Sequence, residues 1–422
     1  MGRRIAFISE HASPLAALGG ADAGGQNVYV GEVARQLAAK GFQIDIFTRR
    51  EEKELPEVVS FSNSIRIIHV NAGPPEDIPK ETLLQYMPAF KADMIRFMVQ
   101  EQLSYDLIHA NFFMSALVAM ELKAILGTPF VVTFHALGHI RRIHQGSNDR
   151  FPEERIAIEE QAVKEASLII AECPQDREDL MNYYNAPAEK IVIIPCGVNT
   201  EELYPVNKSM ARSLLGLPYD ERVLLQLGRM VPRKGVDNVI AALAKVKCGG
   251  TKVRLLIVGG DADTAAELTR LQQLARELGV GDKVYFAGQK SRQELKYYYA
   301  AADLFITTPW YEPFGITPLE AMACGTPVIG SNVGGIKFSV ANGQTGALVP
   351  PKDPDALAST INALLRSPAL LREMSNNAIR RVNKLFTWEL VATDMQAAYE
   401  RIIGSDVIAR PTDFETAQSI SL

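Results

Sequence analysis

Cysteine is scarce in this chain, with four residues among 422, at Cys173, Cys196, Cys248 and Cys324. None forms a C-x-x-C pair, so neither a disulfide framework nor a zinc site is expected, and the spacing fits a reducing, cytoplasmic setting. Long apolar runs are also absent. No window approaches the roughly 18 apolar residues of a membrane span. The apolar stretch after the two arginines of MGRRIAFISEH is only strand-length, too short for a signal-peptide core with a cleavage site. Charge of one sign is not in excess: 44 basic and 49 acidic residues mix along the chain for a net charge of −5. That balance leaves no electrostatic footprint for DNA or RNA, and no nucleic-acid partner is expected. G-x-G-x-x-G, H-E-x-x-H and any repeat of fixed period are missing as well.

What is present is enough apolar material, 47% of residues, for more than one buried core over a length suited to two or three domains. Short β-branched and aromatic runs alternate with helical patterns: RIAFIS from Arg4, QIDIFT from Gln43, IRIIHV from Ile65, DLIHA from Asp106, PFVVTF from Pro129, SLIIA from Ser167 and KIVIIP from Lys190. The alternation predicts parallel sheet with crossover helices, an α/β class. The first helix should follow Gly25, with Val30, Val33, Leu37 and Ala38 on one stripe, and stop at Gly41.

The segment PCGVNTEELYP, from Pro195 to Pro205, punctuates the chain before a second series: RVLLQLG from Arg222, VRLLIVG from Val253, KVYFAG from Lys283, DLFITT from Asp303, PVIG from Pro327 and GALVP from Gly346. Domains are therefore expected at residues 1–204 and 205–387. A long amphipathic helix over about residues 388–404 should return to the first domain, and a polar tail should occupy 405–422. Ser291 with Glu294 reads as a capping box and Asp353-Pro354 as an N-cap with proline at N1. Doubly wound sheets hold ligands at the carboxyl ends of their strands, so two such domains face each other across a cleft.

Several loops after predicted strands carry groups suited to a phosphate or a sugar. In E-P-F-G-I-T-P-L-E, Glu312 and Glu320 flank a loop-to-helix junction; Thr317 reads as the N-cap, Pro318 as N1 and Glu320 as N3. The pattern serves either as a capping box or as a site whose free amides attract phosphate. The loop GRMVPRKG, Gly228 to Gly235, offers Arg229 and Lys234 to a diphosphate, or else is a solvated basic loop. The glycine-rich LGGADAGGQN, Leu18 to Asn27, is a tight turn or a phosphate loop. His135 ends a strongly apolar strand, where it either contacts a ligand or is structural. Asp261-Ala-Asp263 has the spacing of a metal-binding D-x-D but consists of ordinary turn residues, so no metal is expected. Gly334-Gly335 permits a close backbone approach or forms a plain turn.

Taken together, DAGGQNVYVGE, TFHALG, GRMVPRKG, EPFGITPLEAMACGTPVI and NVGGI resemble the retaining nucleotide-sugar glycosyltransferases of family 4, which have the GT-B architecture of two Rossmann-like domains facing across a cleft. The resemblance covers nearly the whole chain, in order. The D-x-G-G-Q element resembles sucrose-phosphate synthases, while H-x-S-P and NVYV resemble the mycothiol-pathway N-acetylglucosaminyltransferases; both subgroups act on phosphorylated acceptors.

The resemblance implies that Arg229 and Lys234 hold the nucleotide diphosphate, with Gly25 capping it from the facing domain. It implies that Glu320 binds the ribose, that Glu312 contacts the donor sugar, and that Phe314, Gly315, Ile316 and Leu319 supply backbone amides. His135 matches the histidine near the sugar 6-hydroxyl, making His135, Glu312, Arg229 and Lys234 the catalytic set. Gln26, Lys80 and Arg141 match acceptor positions, and Arg177 matches one more loosely. Ala136 stands where relatives often carry a hydroxyl residue.

The implied reaction is glucosyl transfer from a nucleoside diphosphate glucose, UDP-glucose foremost, to fructose 6-phosphate, giving sucrose 6-phosphate without a cofactor. N-acetylglucosamine transfer from UDP-GlcNAc to an inositol phosphate is the alternative within the class. A GT-B nucleotide-sugar epimerase and a noncatalytic sugar-phosphate sensor are the alternatives outside it.

Overall fold

The computed structural model describes residues 2–16, 24–247, 249–260 and 264–405. Of the expectations above, Leu18–Ala23 of the glycine-rich loop, Cys248, Asp261, Asp263 and residues 406–422 of the tail lie outside the described residues.

Strands form where the sequence alternates apolar runs with turn residues. The first sheet contains β1 (Arg4–Ile8), β2 (Gln43–Arg49), β3 (Val58–Ser62), β4 (Ile65–Val70), β5 (Leu107–Asn111), β6 (Phe130–Thr133), β7 (Leu168–Ala171) and β8 (Ile191–Ile193), in the order β3-β4-β2-β1-β5-β6-β7-β8. All of its pairings are parallel except β3 with β4. The second sheet contains β9 (Arg222–Leu227), β10 (Val253–Val258), β11 (Val284–Gly288), β12 (Leu304–Thr307), β13 (Val328–Ser331) and β14 (Gly346–Val349), ordered β11-β10-β9-β12-β13-β14 and wholly parallel. Helices cover both faces of each sheet, which is why the central strands read as unbroken apolar runs.

Strand β3 was not among the predicted strands. Its residues VVSFS alternate exposed and half-buried because it is an antiparallel edge strand, so it lacks the apolar density of the others.

The strand order reverses at β1/β5 in the first sheet and at β9/β12 in the second. At these points adjacent loops leave in opposite directions and open a crevice beyond the carboxyl ends of the strands. Both crevices face a shared cleft, lined by His11 and Phe112 from one side and by Gly228, Arg229 and Tyr311 from the other.

The helix Trp388–Ser405 crosses back onto the first sheet. Trp388 is 2% exposed and packs against the backbone of Gly197, where a methyl group would lie 2.7 Å from the Trp388 amide nitrogen. Val198 pairs with Thr387 beside it, and its N–H donates to the Phe386 carbonyl at 2.8 Å. Deeper in the sheet, Tyr399 OH meets His109 Nδ1 at 2.5 Å, and His109 Nε2 meets Thr133 Oγ1 at 2.8 Å. Burial, with a smaller contribution from His135, depresses the His109 pKa to about 3, so the ring is neutral and needs a partner at each nitrogen. Tyr399→Phe leaves Nδ1 without one and is expected to cost about 1–3 kcal/mol in urea unfolding; an unchanged midpoint would show that the contact contributes nothing.

Cys173, Cys196 and Cys324 are buried and form no disulfide among the described residues. Burial raises the thiol pKa of each, which leaves them protonated and unreactive.

Candidate functional site

The cleft between the sheets has a cavity volume of about 310 Å³. One wall comes from the loops after β9 and β12. The loop Gly228–Gly235 curls into a short 3₁₀ turn, Pro232–Lys234, that ends on Gly235 at φ +67°. A methyl group there would lie 2.1 Å from the Thr308 carbonyl oxygen, so only glycine lets this loop lie against the next one. Trp310 N–H donates to the Arg233 carbonyl at 2.9 Å and completes the junction.

Lys234 Nζ donates directly to Glu312 Oε2, and Arg233 Nη1 lies 4.0 Å from the same oxygen. Burial pushes Glu312 up, but Lys234, Arg233 and Arg229 outweigh it and hold the carboxyl below its usual range. Burial depresses the Lys234 ammonium to about 8; Glu312 opposes this, and the neighbouring Arg233 and Arg229 add to it. Lys234 is therefore charged at neutral pH and loses its proton as pH rises through about 8. If the charge is needed, kcat/KM for the donor should show an alkaline limb near that pH, and Lys234→Arg, whose guanidinium stays protonated, should move the limb upward. A limb unmoved by that substitution would assign the titration to another group.

The second carboxylate is held differently from the expectation. The helix over Ile316–Ala323 is capped by Gly315, at φ +88°, and not by Thr317. Glycine turns the chain into the helix earlier, so Thr317 and Pro318 fall within its first turn, where a missing N–H costs no helical bond. Glu320 consequently lies beyond that first turn and closes no capping box with Thr317. Tyr299 OH donates to its Oε2 at 2.8 Å, and Arg292 Nη1 to its Oε1 at 3.1 Å. Arg292 also donates through Nε to Glu202 at 2.6 Å, and its Nη2 has no hydrogen-bond partner among the described residues. Burial works against the Arg292 charge, but Glu320 and Glu202 prevail and raise its pKa.

The facing wall begins at the helix Gly25–Ala39, whose cap is Gly24 and whose first turn holds no acidic residue. A methyl on Gly24 would lie 3.9 Å from Arg229 Nε, and one on Gly25 would lie 3.5 Å from Ile316 Cδ1. The starts of two helices thus converge on the cleft beside Arg229, an arrangement that favours an anion.

Further along this wall, His135 sits at φ +57° in a three-residue turn closed by the Ala136 N–H on the Phe134 carbonyl at 2.6 Å. Such a left-handed conformation is costly for a residue with a side chain and is held by its surroundings. Those surroundings are Glu172 Oε1, 3.1 Å from Nδ1, Asn111 Oδ1, 3.1 Å from Nε2, and the Tyr29 ring, edge-on at 4.8 Å. Arg155, encaged by Phe112, Phe113 and Phe151, braces the same turn through the Ala136 carbonyl.

Gln26, Lys80 and Arg141 line this side of the cavity. Gln26 Nε2 donates to Ser9 Oγ at 3.2 Å and to the Asn111 carbonyl at 3.3 Å. Arg141 is paired with Asp149 at 3.0 Å and lies over the Phe151 ring.

Of the sequence-derived residues, Gly25, Gln26, Lys80, His135, Arg141, Arg229, Lys234, Glu312, Phe314, Gly315, Ile316 and Glu320 line the cleft. Two do not. Leu319 faces inward and is fully buried among apolar neighbours. Arg177 lies on the helix Pro174–Tyr184, outside the lining of the cleft. His11, Glu172, Arg233, Arg292 and Tyr311 line the cleft and were missed. Arg233 stood inside the GRMVPRKG motif, and Arg292 inside the capping box SRQE. Glu172 followed an apolar strand, a position that signals a site only once the topology is known. Among the described residues, no group of three or more His, Cys, Asp or Glu is placed to hold a metal ion, and no helix is long and apolar enough to cross a membrane.

Two facing doubly wound sheets with a cationic loop and helix starts in the shared cleft make up the GT-B architecture, with a cleft suited to an anionic ligand. The comparisons agree: residues 23–202 match the family Glycosyltransferase Family 4, and residues 208–381 match Glycosyl transferases group 1. The chain belongs to this family of glycosyltransferases. Among curated relatives, D-inositol 3-phosphate glycosyltransferase 2 of Catenulispora acidiphila is 35% identical over 408 residues, 95% of each chain. D-inositol 3-phosphate glycosyltransferase of Thermobispora bispora is 36% identical over 404 residues, 94% of each. Among solved structures, sucrose-phosphate synthase from Thermosynechococcus elongatus superposes with a TM-score of 0.89 at 36% identity, covering 96% of this chain and 100% of that one.

Proposed function

We propose that this glycosyltransferase moves glucose from a nucleoside diphosphate glucose, UDP-glucose foremost, to fructose 6-phosphate, forming sucrose 6-phosphate with retention at the anomeric carbon. The observation that carries the reading is the pairing of the walls. Arg229, Lys234, Glu312 and Glu320 line one side, and His135, Gln26, Lys80 and Arg141 stand across from them. Similarity along almost the full chain to a sucrose-phosphate synthase supports fructose 6-phosphate as the acceptor.

In this reading residues 205–387 hold the nucleotide sugar, while residues 1–204 with the helix of about 388–404 hold the acceptor. The anomeric C–O bond to the diphosphate breaks as the acceptor hydroxyl adds from the same face, and the departing phosphate oxygen takes the hydroxyl proton. Arg229, Lys234 and the amides beginning at Ile316 and Gly25 stabilise the charge that grows on the diphosphate. Glu320 binds the ribose and Glu312 a hydroxyl of the sugar. His135, oriented by Glu172 and Asn111, faces the sugar at the far end. Lys80 and Arg141 meet the acceptor phosphate, with Arg141 exchanging Asp149 for it.

A second reading has a specific observation behind it. The curated relatives at 35% and 36% identity are named D-inositol 3-phosphate glycosyltransferases. It assigns N-acetylglucosamine transfer from UDP-GlcNAc to an inositol phosphate.

Purified protein incubated with UDP-glucose and fructose 6-phosphate, or with UDP-GlcNAc and inositol 3-phosphate, separates the two by UDP release and product mass. Sucrose 6-phosphate supports the proposal, and a glycosylated inositol phosphate supports the second reading. Sugar conversion without acceptor would instead indicate a nucleotide-sugar epimerase, and inertness a sensor. Activity should persist in EDTA; its loss would return attention to Asp261 and Asp263.

A further inference from the structure

The segment Tyr311–Pro313, which carries Glu312, has open space on two sides. One side borders the cleft. The other borders a second cavity of about 320 Å³, between the helices Gly138–Gln145 and Pro174–Tyr184 of the first domain and the Asn332–Lys337 turn of the second. The backbone of this segment is packed closely against Gly334 and Gly335, but the Tyr311 and Glu312 side chains border the voids and are held there by individual contacts. From its own domain these contacts include Lys234 on Glu312, the Gly335 N–H on the Glu312 carbonyl at 3.2 Å and on the Pro313 carbonyl at 3.1 Å, and the Arg233 guanidinium 5.3 Å from the Tyr311 ring centre; from the first domain the Cys173 thiol donates to the Pro313 carbonyl at 3.4 Å.

From the opposite domain, His144 stacks on Tyr311, with ring centres 4.8 Å apart and planes inclined by 14°. The Gln145 side-chain amide donates to the Tyr311 hydroxyl. Both residues belong to the last turn of the helix that also carries Arg141. Tyr311 is 5% exposed, so its ring is clamped between Arg233 of one domain and His144 of the other.

We propose that His144 and Gln145 are positioning residues for transfer, which clasp Tyr311 across the cleft and so set Glu312 against the donor sugar when the acceptor helix is docked. The inference rests on the reading of Glu312 as the carboxylate that contacts that sugar. One rigid helix presents Arg141 to the acceptor and His144 with Gln145 to the donor loop. Docking the acceptor side therefore places the donor side through a contact neither substrate makes. When the clasp is open, the donor binds but Glu312 is misplaced and water competes with the acceptor for the sugar.

The test compares the His144→Ala/Gln145→Ala double variant with wild type, reading UDP affinity by calorimetry, kcat and KM for the accepted substrate, and UDP-sugar hydrolysis without acceptor. His144 is exposed and Gln145 half-buried, so the fold should survive and the thermal midpoint should hold. UDP affinity should stay within about twofold, kcat should fall on the order of 10- to 100-fold, and the share of donor lost to hydrolysis should rise. His144→Phe, which keeps a stacked ring, should recover most of the rate that His144→Ala loses. Wild-type kcat and hydrolysis share in the double variant would overturn the proposal, as would UDP affinity and thermal midpoint falling together. Glu312→Gln in the same assays tests the underlying reading. If it is impaired while the double variant is not, the clasp alone fails; if it too is unimpaired, the assignment of Glu312 fails with it.

Discussion

Lys234→Ala lowers kcat for sugar transfer by on the order of 100- to 1,000-fold, equivalent to roughly 3–4 kcal/mol of barrier. The ammonium lies half-buried at the cleft and bonded to Glu312, its pKa depressed first by burial and further by Arg233 and Arg229. Three cations held near one another in a poorly hydrated space repel, and the arrangement costs free energy in the empty protein. An incoming diphosphate relieves that repulsion, and the relief grows as the sugar departs and negative charge accumulates on the phosphate. An interaction that strengthens between ground and transition states lowers the barrier and is not spent on binding alone. The loss should therefore appear in kcat more than in the acceptor KM, measured by steady-state UDP release. A variant with the full wild-type rate would contradict this account of the leaving group.

Gly334→Ala is expected to damage the site as severely from outside it. Gly334 has φ +45°, and a methyl group built on it would lie 1.8 Å from the Glu312 carbonyl oxygen and 2.9 Å from its carbon. The obstacle is backbone, so no rotamer change relieves it. The neighbouring Gly335 is equally constrained, since its Cβ would meet Phe314 Cα at 2.4 Å while its N–H donates to the Glu312 and Pro313 carbonyls. Alanine at 334 must push the Glu312–Phe314 backbone away, displacing both the carboxylate and the start of the helix at Ile316. Strain and overpacking should lower stability by about 2–4 kcal/mol, and displacement of the carboxylate should cost on the order of 100-fold in transfer. Urea unfolding and single-turnover transfer measure the two effects separately. A variant that transfers at the wild-type rate would show that the turn does not set the position of Glu312.

The sequence was most readable where local chemistry and tertiary role coincide. Parallel strands buried on both faces have to be apolar, so β1, β5, β6 and β9 stood out as runs, and the helix starts at Ser291 and Asp353 carried capping side chains that the structure uses. Reading failed where a residue serves the tertiary structure against its local signal. Val58–Ser62 forms a strand without an apolar run because it lies at an edge. Thr317-Pro318 has the look of a helix start, yet Gly315 begins the helix first because its positive φ permits an earlier turn.

Much of the site was legible for a similar reason. Arg229, Lys234, Glu312, Glu320 and His135 all follow predicted strands, and in a doubly wound sheet the loop after a strand is where a ligand binds. Contacts between the two domains left no local trace. Nothing in the spacing of His144, Gln145 and Tyr311 announces that they meet, and the bond from Arg292 to Glu202 joins residues 90 positions apart.

A crystal structure with the donor nucleotide tests the central claim most directly. The account predicts the diphosphate between Arg229 and Lys234 at the start of the helix Ile316–Ala323, the ribose on Glu320, and Gly25 facing the phosphates from the opposite domain. A diphosphate lodged elsewhere in the cleft, away from Arg229 and Lys234, would contradict it.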